Sequence, residues 1–147
     1  MLAVPVWCAK MNQRAIAIDY GSRRTGIAIG DTESKMAAPF ERFENLTDDQ
    51  LLEKIAELVK REDISVIVCG LPLNENGSLG PQAMLTEKFA ASLEKTIALP
   101  VVRVDERLTS HDAESRLAGH FTRKQKRKRV DAIAAARILQ DFFDHLH

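Results

Sequence analysis

Four short apolar runs, each ending at a carboxylate or a glycine, constrain this chain more than any other feature. They are RAIAIDY at 14–20, GIAIGD at 26–31, SVIVCG at 65–70 and VVRVDE at 101–106. Runs this short are strands rather than helices, and the unbroken Val66–Cys69 stretch is the mark of a strand covered on both faces. The first two runs are separated only by the turn SRRTG, so they form an antiparallel hairpin. MAAPFERFE at 36–44 is a weaker third strand, which Pro39 places at a sheet edge or breaks.

Helical signals fill the remaining intervals. Thr47 and Gln50 have the spacing of a capping box, and Leu51, Leu52, Ile55, Leu58 and Val59 then recur at helical spacing. Pro81 suits the first turn of a second helix, with Leu85, Phe89, Leu93 and Ile97 along one stripe. A third helix opens at Thr109 or Ser110 and runs to about Gly119, and a last one spans about Arg129 to Leu146. Asn74 and Gly77 in LPLNENG mark a turn. The order β-β-β-α-β-α-β-α-α predicts an α/β fold: a mixed five-stranded sheet with an antiparallel hairpin start, then parallel strands, and helices on both faces.

At 147 residues the chain has room for one core. We read residues 1–12 as an N-terminal extension and 13–147 as a single domain, with no secretory signal expected. Two cysteines without zinc spacing fit a reducing compartment, hence the cytoplasm, and no apolar stretch is long enough to span a bilayer. The 21 basic and 21 acidic residues cancel, but the average hides RKQKRKR at 123–129, with six basic residues and no acidic one. Such a run is ordinarily a solvated loop. Its position just before Asp131 gives it a further reading as a phosphate-binding segment.

Three carboxylates stand out. Asp19 closes an apolar strand, where a charge is costly unless compensated; it fits either a turn aspartate before Gly21 or a site residue. Glu106 shares a face with Val102 and Val104 on a period of two, while Asp105 points the other way. It fits a partner for Arg103 or Arg107 equally well. Asp131 falls in the apolar arc of the last helix with Ala135, Ile138, Leu139, Phe142 and Leu146, opposite a polar arc of Arg137, Gln140, Asp141, Asp144 and His145. An acidic residue in a first helical turn is common, but it normally faces solvent. Converging carboxylates without His or Cys favour Mg²⁺ or Mn²⁺, and two such ions serve phosphodiester cleavage.

Four segments carry a family resemblance: IAIDYGSRRTGIAIGD, CGLPLNENGS, VDERLTS and KRVDAIAAARILQDFF. In order and spacing they resemble the YqgF (RuvX) family from about Gln13 to the C-terminus. The resemblance implies an RNase H-like fold and a nuclease, either one processing the 5′ end of the 16S rRNA precursor in ribosome biogenesis or one acting like a Holliday-junction resolvase. It also implies that Asp19, Glu106 and Asp131 form the catalytic and metal-binding set. Nucleic acid is then the expected partner, with Arg23, Arg24, Asn74, Arg107, Arg123, Lys124, Lys126, Arg127, Lys128 and Arg129 as candidate contacts. The protein is expected to be a monomer or homodimer, the dimer suiting a resolvase, which makes paired cuts.

Two other functions compete. DYGSRRTG resembles the first phosphate-binding hairpin of actin-like ATPases and sugar kinases, but those bind nucleotide between two domains and this chain has room for one. A non-catalytic nucleic-acid-binding protein would need only the basic run, the acidic residues then being structural. Metal-dependent cleavage distinguishes the nuclease from this last reading.

Overall fold

Alternation of small and large side chains in the first strands builds the centre of the sheet. The computed structural model describes residues 12–106 and 130–146, apart from the side chains of residues 130 and 131. Strand β1 (Arg14–Asp19) directs Ala15 and Ala17 to one face, and Ile16 and Ile18 to the other, all fully buried. It pairs antiparallel with β2 (Arg24–Asp31), Asp19 standing opposite Gly26. Strand β3 (Ala37–Glu44) adds antiparallel at the edge, as Pro39 required. Its register slips beside Pro39, which lacks an N–H for the ladder: Ile27 pairs with Glu41 and Ala28 with Pro39.

The turn between β1 and β2 is tighter than SRRTG. Arg24 and Thr25 already belong to β2, because β3 reaches back to pair Glu44 with Arg24 and Phe43 with Thr25. Helix α1 (Asp48–Arg61) carries the expected capping box: the Gln50 N–H donates to Thr47 Oγ1 at 3.2 Å and the Thr47 N–H to Gln50 Oε1 at 2.9 Å. Strand β4 (Val66–Leu71) runs parallel to β1, α2 (Pro81–Ile97) begins at its proline, and β5 (Val101–Asp105) runs parallel to β4. The buried stripe of α2 is Ala83, Thr86, Phe89, Ala90 and Leu93, so Leu85 is exposed rather than on the stripe. The sheet order is β3-β2-β1-β4-β5, and helix α3 (Val130–Asp144) closes the described chain. Residues 1–11 of the expected N-terminal extension, the helix expected over 109–119 and the basic run lie outside the described residues.

The sheet separates two cores. Ile16, Ile18, Ile27, Ile67 and Cys69 pack with Leu51, Ile55 and Leu58 of α1 and Phe89 and Leu93 of α2. On the opposite face Ala15, Ala17, Ala28, Val68 and Val104 meet Ala135, Ile138, Leu139, Phe142 and Phe143 of α3. The alanines leave room for α3 to lie close across β1, β2, β3 and β4. That breadth of contact corrects the expected polar arc of α3, since Gln140 and Asp141 are buried. Gln140 is satisfied at the sheet edge, accepting from the Ala37 N–H at 3.1 Å and donating to the Lys35 carbonyl at 2.8 Å. Helical periodicity marks polarity, but not how far the neighbouring strands extend.

Candidate active site at the carboxyl edge of the sheet

Parallel strands place their carboxyl ends along one edge, and β1, β4 and β5 are mutually parallel neighbours. Asp19 ends β1 with the parity of Ala15 and Ala17, and so lies on the α3 side of the sheet. Glu106 follows β5 with the parity of Val102 and Val104, which pack on the same side. Both carboxylates line a cavity of about 180 Å³, together with Ala134, Arg137 and Ile138 of α3.

Asp19 is held by the backbone that follows it. The Tyr20 ring stacks on Phe89 of α2 with centroids 4.5 Å apart, and its hydroxyl donates to Asp48 at the start of α1 at 2.6 Å. Gln82 Nε2 donates to the Tyr20 carbonyl at 3.3 Å. At Gly21 any Cβ would collide with the Arg24 carbonyl oxygen, so the tight turn after Asp19 requires glycine. Two helices thus fix a turn that would otherwise be free to move.

The Glu106 pKa is pushed up to about 7. Burial is the largest cause, followed by the charge of Asp19 and the hydrogen bond with it; Asp105 adds to the rise and the Arg137 guanidinium opposes it. Two carboxylates this close disfavour joint ionisation. The pair is a hard-oxygen site whose mutual repulsion a cation would relieve. This donor chemistry fits Mg²⁺ or Mn²⁺, although among the described residues no three such ligands come together.

Asp131 lies in the first turn of α3. Its side chain is outside the described residues, as are Arg107, Arg123, Lys124, Lys126, Arg127, Lys128 and Arg129. Arg23 sits exposed in the β1–β2 turn, while Arg24 opens β2 and reaches Glu44 at 3.8 Å. Asn74 shapes its loop: its N–H donates to the Ser78 carbonyl at 2.9 Å, its Nδ2 donates to Ser78 Oγ at 3.0 Å, and its carbonyl accepts from the Gly77 N–H at 2.8 Å. Gly77 adopts a φ of 85°, as the expected turn demands. Arg103 does not pair with Glu106. It binds Glu87 and Glu94 of α2 at 3.0 and 2.8 Å on the other face.

Sequence reasoning missed two residues. Gly70 of β4 lies beneath Glu106, and a Cβ there would come within 2.6 Å of Glu106 Oε1 and 2.5 Å of Ile138 Cδ1. The available signal was a glycine closing an otherwise apolar strand, a sign of close approach. Arg137 was assigned to a solvent-facing arc but lines the cavity. Its place, three residues after Ala134 and one before Ile138, was the signal.

Known proteins resemble this chain in sequence and in fold. A Roseiflexus sp. (strain RS-1) protein is 38% identical over 132 residues, covering 89% of this chain and 94% of its own length. A Bacillus licheniformis protein is 39% identical over 137 residues, 91% and 99% of the two chains. Both carry the name "Putative pre-16S rRNA nuclease". Among solved structures, Thermus thermophilus RuvC in complex with a Holliday junction substrate has a TM-score of 0.62 at 10% identity, covering 88% of this chain and 93% of that one. Fowlpox virus resolvase with Holliday junction DNA has a TM-score of 0.59 at 12% identity, covering 90% and 98%. At such identities the likeness establishes the fold, which is the RNase H-like fold expected. The profile described as "RuvX: Holliday junction resolvase" matches residues 13–145, and the chain belongs to the RuvX family.

Proposed function

We propose that this protein is a metal-dependent nuclease that hydrolyses phosphodiester bonds in structured nucleic acid, with the 16S rRNA precursor as substrate. The observation that carries the reading is the Asp19–Glu106 carboxylate pair lining one cavity at the carboxyl edge of the sheet. Like charges held together are a cost to folding, and such arrangements concentrate at functional sites. Asp131, whose backbone lies in the first turn of α3, is the third member that the family resemblance implies. The names of the relatives favour precursor rRNA.

Asp19, Glu106 and Asp131 would hold Mg²⁺ or Mn²⁺, which when bound activates water and stabilises the leaving oxygen. The protein's own part is to fix these oxygens at the end of β1, after β5 and in the first turn of α3. Arg107 and the basic residues Arg123, Lys124, Lys126, Arg127, Lys128 and Arg129 bind phosphates without reading sequence, with Arg23, Arg24 and Asn74 as further contacts. The setting is the cytoplasm. No helix among the described residues is long and apolar enough to cross a membrane, and Cys69 is a buried free thiol.

A second reading, a resolvase cutting DNA junctions as a homodimer, is favoured by the family's description. Labelled precursor rRNA and a four-way DNA junction, incubated side by side with Mg²⁺, Mn²⁺ or chelator, separate the two. We expect rRNA cleavage that chelator abolishes and that Asp19→Asn lowers by roughly 10²–10³-fold, the usual loss for a preorganised electrostatic group. Paired, symmetric cuts in the junction with intact rRNA would select the resolvase. Full activity of Asp19→Asn, or activity in chelator, would exclude the site.

A further inference from the structure

Arg137 is the one cation among the described residues lining the cavity, whose other walls are the two carboxylates and the apolar Ala134 and Ile138. Its guanidinium carries a permanent charge and a planar fork of donors that matches phosphate oxygens. It is half-buried on the α3 side, facing the carboxylate pair from the helix rather than from the sheet. Gly70 sharpens the juxtaposition, since the missing Cβ lets Glu106 settle between β4 and α3.

We propose that Arg137 is a positioning residue that couples cation loading to phosphate binding, holding the acidic pair in check until a phosphodiester enters. The inference rests on the nuclease reading of the site. Without nucleic acid, the guanidinium supplies positive charge to the same carboxylates that a divalent ion needs. In a partly enclosed cavity that competition weakens ion binding. An entering phosphate gives Arg137 an anion of its own and releases the carboxylates to the ion. Ion and nucleic acid then bind synergistically, each tightening the other by the same factor.

The test is Mn²⁺ titration of the full chain followed by electron paramagnetic resonance of free Mn²⁺. It is run with and without a 2′-O-methyl RNA hairpin, which has full phosphate charge and resists cleavage. Wild type is expected to bind Mn²⁺ weakly alone and roughly 5–10-fold more tightly with the hairpin, a coupling of ordinary size. Arg137→Gln should bind Mn²⁺ by about that factor more tightly in the free protein and lose the response to the hairpin. Arg137→Lys, which keeps the charge but not the planar fork, should keep the weak Mn²⁺ binding of the free protein and show a smaller response to the hairpin. If the glutamine variant melts, Arg137→Met keeps the buried stem and gives the same comparison. Unchanged or weaker Mn²⁺ binding in the neutral variants, or a hairpin response that survives in them, overturns the proposal. A wild type that shows no hairpin response overturns it without any variant. Asp19→Asn separates the two layers: if it retains Mn²⁺ binding, the metal-site reading itself fails.

Discussion

The two faces of the sheet treat charge in opposite ways. On the α1–α2 face, Arg103 of β5 donates to Glu87 through Nε and Nη2, both at 3.0 Å, to Glu94 at 2.8 Å and to the Val101 carbonyl at 2.9 Å. The hydrogen bond from Arg103 holds the Glu94 carboxyl below its usual range. Cys69 beneath them is sealed in, its thiol pushed up to about 12 by burial. On the α3 face, only three residues further along, Glu106 meets another carboxylate and is pushed up to about 7. One face pairs opposite charges; the other brings two carboxylates into one cavity, with Arg137 beside them. That contrast distinguishes a clamp from a site more sharply than the presence of charged residues does.

The most damaging way to break the contrast is to crowd the acidic side without touching a charge. Gly70→Ala puts a methyl group 2.6 Å from Glu106 Oε1 and 3.0 Å from its Cγ. The Glu106 carboxylate must move, and a misplacement of about 1 Å costs roughly 10²-fold in rate. Overpacking against Ile138 adds about 1–3 kcal/mol of destabilisation. Cleavage assays and thermal melts check both. Full activity would mean that Glu106 does not depend on the position Gly70 allows.

Much of this contrast was legible in the sequence, and the reasons are local. Period-two parity put Glu106 on the face of Val102 and Val104, and the same parity in β1 puts Asp19 with Ala15 and Ala17 once the sheet is assembled. Thr47 and Gln50 form their capping box because it needs only four consecutive residues. What failed depended on distant partners. Gln140 reads as a surface residue until residues 35 and 37, more than a hundred positions earlier, arrive as its hydrogen-bond partners. Arg103 fits Glu106 in sequence, but β-strand parity sends it to the opposite face, where α2 provides two glutamates. Gly70 and Arg137 gain meaning only once β4 and α3 are stacked.

Arg103→Met tests the clamp with the opposite expectation: stability falls and cleavage survives. Methionine keeps the aliphatic stem while removing every donor. Glu87 and Glu94 are partly exposed, so solvent screens each pair and each contributes up to about 1 kcal/mol. The loss should lie near 1–2 kcal/mol, or about 3–6 °C in melting temperature for a domain of this size. Nuclease activity at a temperature well below the melt should change less than about twofold, since independent sites are close to additive. A collapse of activity in a folded variant would show that β5 transmits changes at Arg103 to Glu106.

The smallest effect, and the most specific, is in the pH dependence of the metal-free protein. The folded-state pKa of Glu106, about 7, lies above its ordinary value of 4.5. Between those values the folded state binds a proton that the unfolded state has released, so stability falls as pH rises through this window. Asp141, also raised chiefly by burial, slopes the same way at the far end of α3. Glu106→Gln removes one contribution and keeps the other, because glutamine is uncharged throughout and can still hydrogen-bond Asp19. Melts in chelator from about pH 5 to about pH 8 should therefore show wild type declining more steeply, with the two proteins diverging towards alkaline pH and the variant the more stable there. Saturating Mg²⁺ should reverse the order, since only the intact carboxylate set gains the full binding energy of the ion. Parallel pH profiles in chelator would mean that Glu106 is ionised in the folded state as it is in the unfolded chain.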